Sequence, residues 1–342
     1  MRHGRPYKVL VTLGYNETVD IVSIRSREKP LLFDAYIFID WSSANSRHPE
    51  IPTGNAPWIG ELIAGDSDVV ETYHRTRQSA CDHALDSLIR HVQLNHRVLV
   101  GFDFPYGYPH GFSQALGFQN SGDPWISIWE HLSSIIEDDV HNHNNRFEIA
   151  SHLDNIISGG EIGPFWGHPQ GRNYPNLLPH QPAFPFNAVN NVCLQKFRIV
   201  ETRLPGVSST WQLFGIGVVG SQALTGIPRL HSLANHANLA HCSQVWPFQT
   251  GFKKLSRSQR GPFILHAEIW PGIVAGRVQN ITQANNNIIR DQAQVRAMCQ
   301  WAYDLDKKNR LCECFDRPTY LNDQQVEHCT QEEGWILGTP LI

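Results

Sequence analysis

The sequence predicts an α/β fold, a mixed sheet flanked by helices and interrupted by a large insertion. Two short apolar runs each stop at an aspartate, residues 35–39 before Asp40 and residues 98–102 before Asp103. Each is too short for a helix and is followed by turn-forming or small polar residues, so each reads as a buried strand. Between them lie two more strand signals and one helical period. With 342 residues and 41% hydrophobic content, the chain can bury a large core, as one domain with insertions or as two.

In chain order, residues 1–32 alternate apolar and polar positions around 7–13 and 19–24. They read as a hairpin turning at 14–16 or as a loose extension. The run at 35–39 delivers Asp40, then Trp41, Ser42 and Ser43, and residues 45–55 form a loop. Residues 58–63 and 69–73 read as short strands joined around Gly65 and Asp66, which completes a three-strand meander. Ala80, Ala84, Leu85, Leu88, Ile89 and Val92 then recur at helical spacing, with Thr76 as the N-cap and Asn95 as the end. The Asp103 strand follows, closed by Pro105, Gly107 and Pro109.

A strand-end aspartate read alone is a turn former. Two of them on strands that can lie side by side are unfavourable unless they share a proton or a cation, and a divalent metal is the simplest resolution. The order strand, strand, strand, helix, strand, with acids on the first and fourth strands, is the opening half of the RNase H-like fold, whose metal chemistry uses that pair. Five motifs stand in sequence along the chain: Phe38-Ile-Asp-Trp-Ser-Ser43, Val100-Gly-Phe-Asp-Phe-Pro-Tyr-Gly-Tyr-Pro109, Asn144-Asn-Arg-Phe147, Gly217-Val-Val-Gly-Ser-Gln-Ala-Leu-Thr-Gly-Ile-Pro228 and Ala267-Glu-Ile-Trp-Pro271. In these the chain resembles a family of uncharacterised proteins predicted to be RNase H-like nucleases, sometimes labelled cobalamin-biosynthesis proteins. The resemblance runs from about Phe33 to the C-terminus. It implies an extension at 1–32, a first half-domain at 33–118, an inserted subdomain at 119–262 and a second half-domain at 263–342.

Within the insertion, residues 125–136 read as a helix with Trp125, Ile128, Trp129, Leu132, Ile135 and Ile136 on one face. The polar run at 137–147 reads as a solvated helix end, but Arg146, flanked by Asn144 and Asn145, suits a substrate phosphate or carboxylate. Residues 159–186 form a long loop rich in Gly, Pro, Asn and His, and 195–203 a short helix. Gly215, Gly217 and Gly220 fit the spacing of a dinucleotide loop, yet no acid occurs between Ser221 and Lys254, so no redox cofactor is expected. The preferred reading is a glycine-rich turn that, with Ser221 and Gln222, opens a helix through Leu233 able to receive an anion.

Residues 263–271 read as a strand with Glu268 near its end, and 288–305 as a helix burying Val295, Met298, Cys299, Ala302 and Leu305. Asp291 lies in the first turn of that helix, where it either complements the helix dipole or resembles the late-helix acid of RNase H-like nucleases. Glu268 and Asp291 therefore compete for, or share, completion of the acidic site, with Arg296 a little further along. Glu332, Glu333 and Trp335 read as a capping segment.

A net charge of −4 argues against strong non-specific nucleic-acid affinity from charge alone. Seven scattered cysteines imply no disulfide framework, and Cys312, Cys314, His328 and Cys329 fit no common zinc spacing. With no signal peptide or membrane-spanning run apparent, the expectation is a cytoplasmic protein without membrane contact. The expected activity is metal-dependent phosphodiester hydrolysis of nucleic acid or a nucleotide. Asp40, Asp103, Glu268 and Asp291 are the candidate metal-ligating and catalytic residues, and Mg²⁺ or Mn²⁺ the ions that carboxylate oxygens favour. Ser42, Asn144, Asn145, Arg146, Ser221, Gln222 and Arg296 are the candidate substrate contacts. Two rivals remain: a phosphotransferase of the actin and sugar-kinase type, whose first phosphate loop Asp40-Trp-Ser-Ser-Ala-Asn-Ser46 resembles, and a non-catalytic protein that binds a nucleotide or metabolite. Against the first, the chain has no second Asp-x-Gly loop.

Overall fold

The computed structural model describes residues 30–118, 122–215, 217–257 and 261–339. The hairpin expected in residues 1–32 falls almost wholly outside them. From Leu31 onward the chain forms one compact unit. Its elements are β1 (Ala35–Asp40), β2 (Trp58–Ile63), β3 (Val70–Tyr73), α1 (Arg77–Gln93), β4 (Arg97–Phe102), α2 (Phe112–Ala115), α3 (Pro124–Ile135) and α4 (Arg146–Ser158). Then come β5 (Phe186–Asn187), β6 (Cys193–Leu194), α5 (Val219–Ala234), β7 (Ser243–Trp246), β8 (Phe263–Ala267), α6 (Ala275–Ala284), α7 (Arg290–Lys307) and α8 (Asp323–His328).

Six strands make a mixed sheet in the order β3-β2-β1-β4-β8-β7. The meander β1-β2-β3 is antiparallel, while β1, β4, β8 and β7 run parallel. Both faces are covered, so the parallel strands are apolar throughout rather than alternating. Ile37, Ile39, Val98 and Val100 pack into a core with α1, α3, α4 and α5. Tyr36, Phe38, Leu99 and Leu265 pack into a second core with α7, through Ala293, Ala297 and Met298. The 119–262 stretch is woven into this unit, because it supplies α3, α4 and α5 to one layer and β7 to the sheet edge.

α7 is tied along β1 from end to end. At its C-terminal end the Asp306 carboxylate accepts the Leu32 and Phe33 amides at 2.9 and 3.0 Å and the Tyr36 hydroxyl at 2.6 Å. From Asp306 back to Asp291 the helix rises about 22 Å, and from Phe33 to Asp40 the strand advances about 23 Å. The first turn of α7 therefore reaches the end of β1. Close approach of the helix depends on Gly60 of β2, where a Cβ would stand 3.0 Å from the Val295 carbonyl oxygen.

The short helix expected at 195–203 is only a 3₁₀ turn at Glu201–Arg203. There the Glu201 carboxylate accepts both the Arg198 amide at 2.9 Å and Arg198 Nε at 2.8 Å, and such side-chain bonding closes a turn in place of a helical ladder. α6, like α4 and β7, had no counterpart in the expected elements; of its residues only Val278 is buried.

Candidate active site

In parallel pairing, β1 and β4 align Tyr36 with Leu99 and Ile39 with Phe102. One further step brings Asp40 beside Asp103. The Asp103 amide donates to the Ile39 carbonyl at 3.2 Å, and the Trp41 amide donates to Asp103 Oδ1 at 2.7 Å, so the register holds past the strand ends. Side chains alternate along a strand. Asp40 therefore shares the face of Tyr36 and Phe38, and Asp103 that of Leu99, which is the face α7 covers.

Asp291, in the first turn of α7, reaches the same place, and its Oδ2 accepts the Asn55 amide at 2.6 Å. All three carboxylates line one open cleft of about 590 Å³ at the carboxyl edge of the sheet. Burial raises the Asp40 pKa well above the carboxylate range, and the charges of Asp103 and Asp291 raise it further, against a lowering contribution from Arg290. Asp103 is raised well above its usual value by burial and then by Asp291, with the Trp41 amide opposing. Asp291 is raised by burial, with the Asn55 amide and Arg290 opposing.

The opposite wall carries Arg146, the first residue of α4, only 7% exposed. Its Nε donates to Ser221 Oγ at 2.9 Å and one terminal nitrogen to Asn144 Oδ1 at 2.7 Å, while the guanidinium lies 4.3 Å from the Phe147 ring centre. No carboxylate of the described residues forms an ion pair with it. Burial, aided by Arg77, lowers its pKa to about 10, so it is cationic at neutral pH.

Glu268 does not line this cleft; with Asp103, Arg198 and Glu201 it lines a smaller pocket of about 150 Å³. It is buried in an ion pair with Arg198, Oε1 at 2.6 Å and Oε2 at 2.8 Å, and Oε2 also accepts the Tyr106 amide at 2.9 Å. Between Glu268 and Asp291, the second lines the cleft because α7 is anchored along β1, whereas a cation already neutralises the first. Arg296 is likewise removed from the site, held at 2.8 Å by Glu71 of β3. Asn145 is structural: it accepts the Glu137 amide and donates to the Ile135 carbonyl. Asn144 acts behind Arg146.

Ser221 donates to the Leu213 carbonyl at 2.6 Å as well as accepting from Arg146, so it positions the arginine and is not an anion receptor. Gln222 lines the cleft with its amide nitrogen on the Trp41 carbonyl at 2.7 Å. Ser42 lines it too, 3.1 Å from His48 Nε2, and accepts the Ala44 amide.

His48, Arg77, Phe214 and Arg290 were missed by sequence reasoning. Arg290 had a signal, adjacency to Asp291. His48 had none: the His48 amide bonds the Arg75 carbonyl, a contact made only when the 45–55 loop folds back. Arg77 shapes the loop after β1 from beneath, donating to the Ser42 and Ala44 carbonyls at 3.0 and 2.7 Å.

Among the described residues no group of three or more His, Cys, Asp or Glu forms a ready ligand cage. The donor set nevertheless suits one class of ion. Mg²⁺ keeps several waters and takes one or two carboxylates plus substrate phosphate oxygens, not an all-protein cage. The Asp40 carboxylate accepts no hydrogen bond from a described residue, and its neighbours repel its charge, so a hard cation would relieve the site. Asp40, Asp103 and Asp291 are the cleft carboxylates available to such an ion. Comparison of the chain with protein-family models, curated proteins and solved structures found no match.

Proposed function

We propose that this protein is a metal-dependent phosphodiester hydrolase of RNase H-like architecture, acting on nucleic acid or a nucleotide. The observation that carries the reading is the convergence of Asp40, Asp103 and Asp291 on one cleft, two of them in register on adjacent parallel strands. The antiparallel meander followed by parallel strands, with acids at the ends of β1 and β4, supports the architecture.

A divalent cation at the acids would neutralise their repulsion and polarise a phosphodiester. The chain's own groups divide the remaining work. Arg146 holds a phosphate oxygen through a charge-assisted bond, kept in place by Ser221 and Asn144. Arg290 offsets part of the negative charge on Asp40. His48, whose pKa is lowered by burial and by Arg77, is neutral at neutral pH and keeps a hydrogen bond with Ser42 at the cleft wall.

The test is a panel of single-stranded, duplex and hybrid oligonucleotides incubated with Mg²⁺, Mn²⁺ or Ca²⁺, for wild type and Asp40→Asn. Cleavage with Mg²⁺ or Mn²⁺ that Asp40→Asn abolishes is expected. ATP consumption with an acceptor and no cleavage would replace the reading with a phosphotransferase; binding with neither activity would replace it with a sensor.

A further inference from the structure

We propose that the cleft takes a single nucleotide unit, with an unpaired base stacked on Phe214 and the phosphate on Arg146. The substrate class is then a cyclic mononucleotide, a dinucleotide or a single-stranded end, and not a duplex. This inference rests on the hydrolase reading for the role of the acids, but its own support lies in the other wall.

Phe214 lines the cleft and is 49% exposed, whereas its neighbours Leu213 and Trp211 are buried. The backbone leading into it is hydrogen-bonded to a neighbouring segment. The Leu213 amide donates to the Trp166 carbonyl at 2.8 Å, and the Trp166 amide to the Trp211 carbonyl at 3.1 Å. Gly167, at φ +90°, packs so closely that a Cβ there would stand 2.9 Å from the Phe214 amide nitrogen. An aromatic ring is thus presented from a pinned segment into a polar cleft. Isolated exposed apolar side chains are ordinary; this one shares its cleft with a buried guanidinium that has no carboxylate partner.

Size and charge select the occupant. A cleft of about 590 Å³ lies in the range of small-molecule sites. The only cationic side chains lining it, among the described residues, are Arg146 and Arg290. Duplex binding draws on rows of Lys and Arg that track many phosphates, and the chain carries a net charge of −4. One aromatic face and one phosphate-binding cation instead match the stacking mode used for unpaired bases.

The test is calorimetric titration with adenosine 5′-monophosphate and with ribose 5-phosphate, for wild type, Phe214→Ala, Phe214→Leu and Phe214→Trp, in Mg²⁺. Wild type and Phe214→Trp should prefer the nucleotide over the sugar phosphate by roughly five- to a hundredfold. Phe214→Ala and Phe214→Leu should lose that preference while binding ribose 5-phosphate unchanged. Equal affinity for the two ligands in wild type, or a preference that survives in Phe214→Ala, overturns the proposal. Because the readout is binding, the two readings separate. Absence of phosphodiester cleavage with base-dependent binding intact removes the hydrolase and keeps the platform; cleavage with base-independent binding does the reverse.

Discussion

Replacing Glu268 by Gln separates a structural acid from a catalytic one. Arg198 donates to both Glu268 oxygens and also to Glu201 at 2.8 Å and the Glu333 carbonyl at 2.8 Å, with every side chain of the ion-pair cluster at most 2% exposed. In Glu268→Gln one oxygen becomes an amide nitrogen that meets a donor. One charge-assisted hydrogen bond is lost, about 1.5–3 kcal/mol, while Glu201 keeps the Arg198 charge paired. For a unit of this length an unfolding entropy of about 2.1 cal/mol/K per residue converts 1 kcal/mol to roughly 1.5 °C. The expected drop in Tm is therefore about 2–5 °C. Arg198→Met is harsher, because it strands two buried carboxylates, and about 3–5 kcal/mol or roughly 5–8 °C is expected. Burial already raises the Glu201 pKa, with Arg198 opposing; without Arg198 the contribution of that acid is retained below its unfolded pKa and lost as pH rises through the folded one. The Arg198→Met deficit should then be smaller at pH 5 than at pH 8. Thermal melts give these numbers, and a Mn²⁺ titration gives the decisive one. Glu268→Gln should bind Mn²⁺ within about threefold of wild type; a loss as large as that of Asp40→Asn would refute the assignment of Glu268 to the scaffold.

Asp40→Asn should abolish Mn²⁺ binding yet melt at or above wild type at pH 8, because a folded-state pKa raised by burial, Asp103 and Asp291 makes wild type lose stability as pH rises through it; a variant less stable at pH 8 than at pH 5 relative to wild type would contradict this. Arg146→Ala should slow turnover or weaken substrate binding roughly ten- to a hundredfold, with Arg146→Lys recovering only part, because an ammonium restores charge but not the planar fork; unchanged kinetics would make Arg146 structural. Burial pushes Glu333 up to about 7, so its stabilising contribution should fall as pH rises from the ordinary carboxylate range to about 7. His110, raised by its bond to Glu332, acts in the same direction, losing its contribution as pH rises through its folded pKa. Melts from pH 5 to 8 should show Glu333→Gln with a flatter pH dependence than wild type.

What the sequence determined by itself was local. Apolar runs of strand length ending at Asp40 and Asp103, the period of α1, the aromatic face of α3 and the buried face of α7 are written in residue spacing, because burial of one face leaves a periodic trace. The side-by-side placement of Asp40 and Asp103 was foreseeable as one option, from the order strand, strand, strand, helix, strand; the parallel register that aligns them belongs to the folded sheet. The third acid was not. Glu268 and Asp291 offered the same carboxylate near the end or start of an element, and the choice depended on Arg198 approaching one and on α7 being moored to β1 through Asp306 and packed closely on Gly60 of β2. Those contacts join residues far apart in the chain and leave no periodicity. The same holds for Ser221, which looked like a receptor and serves as a brace, and for His48 and Phe214, whose place in the cleft depends on loops returning to the sheet. Element identity follows from short-range patterning; which polar groups face one another is decided by long-range packing, and the chemistry of the cleft is set there.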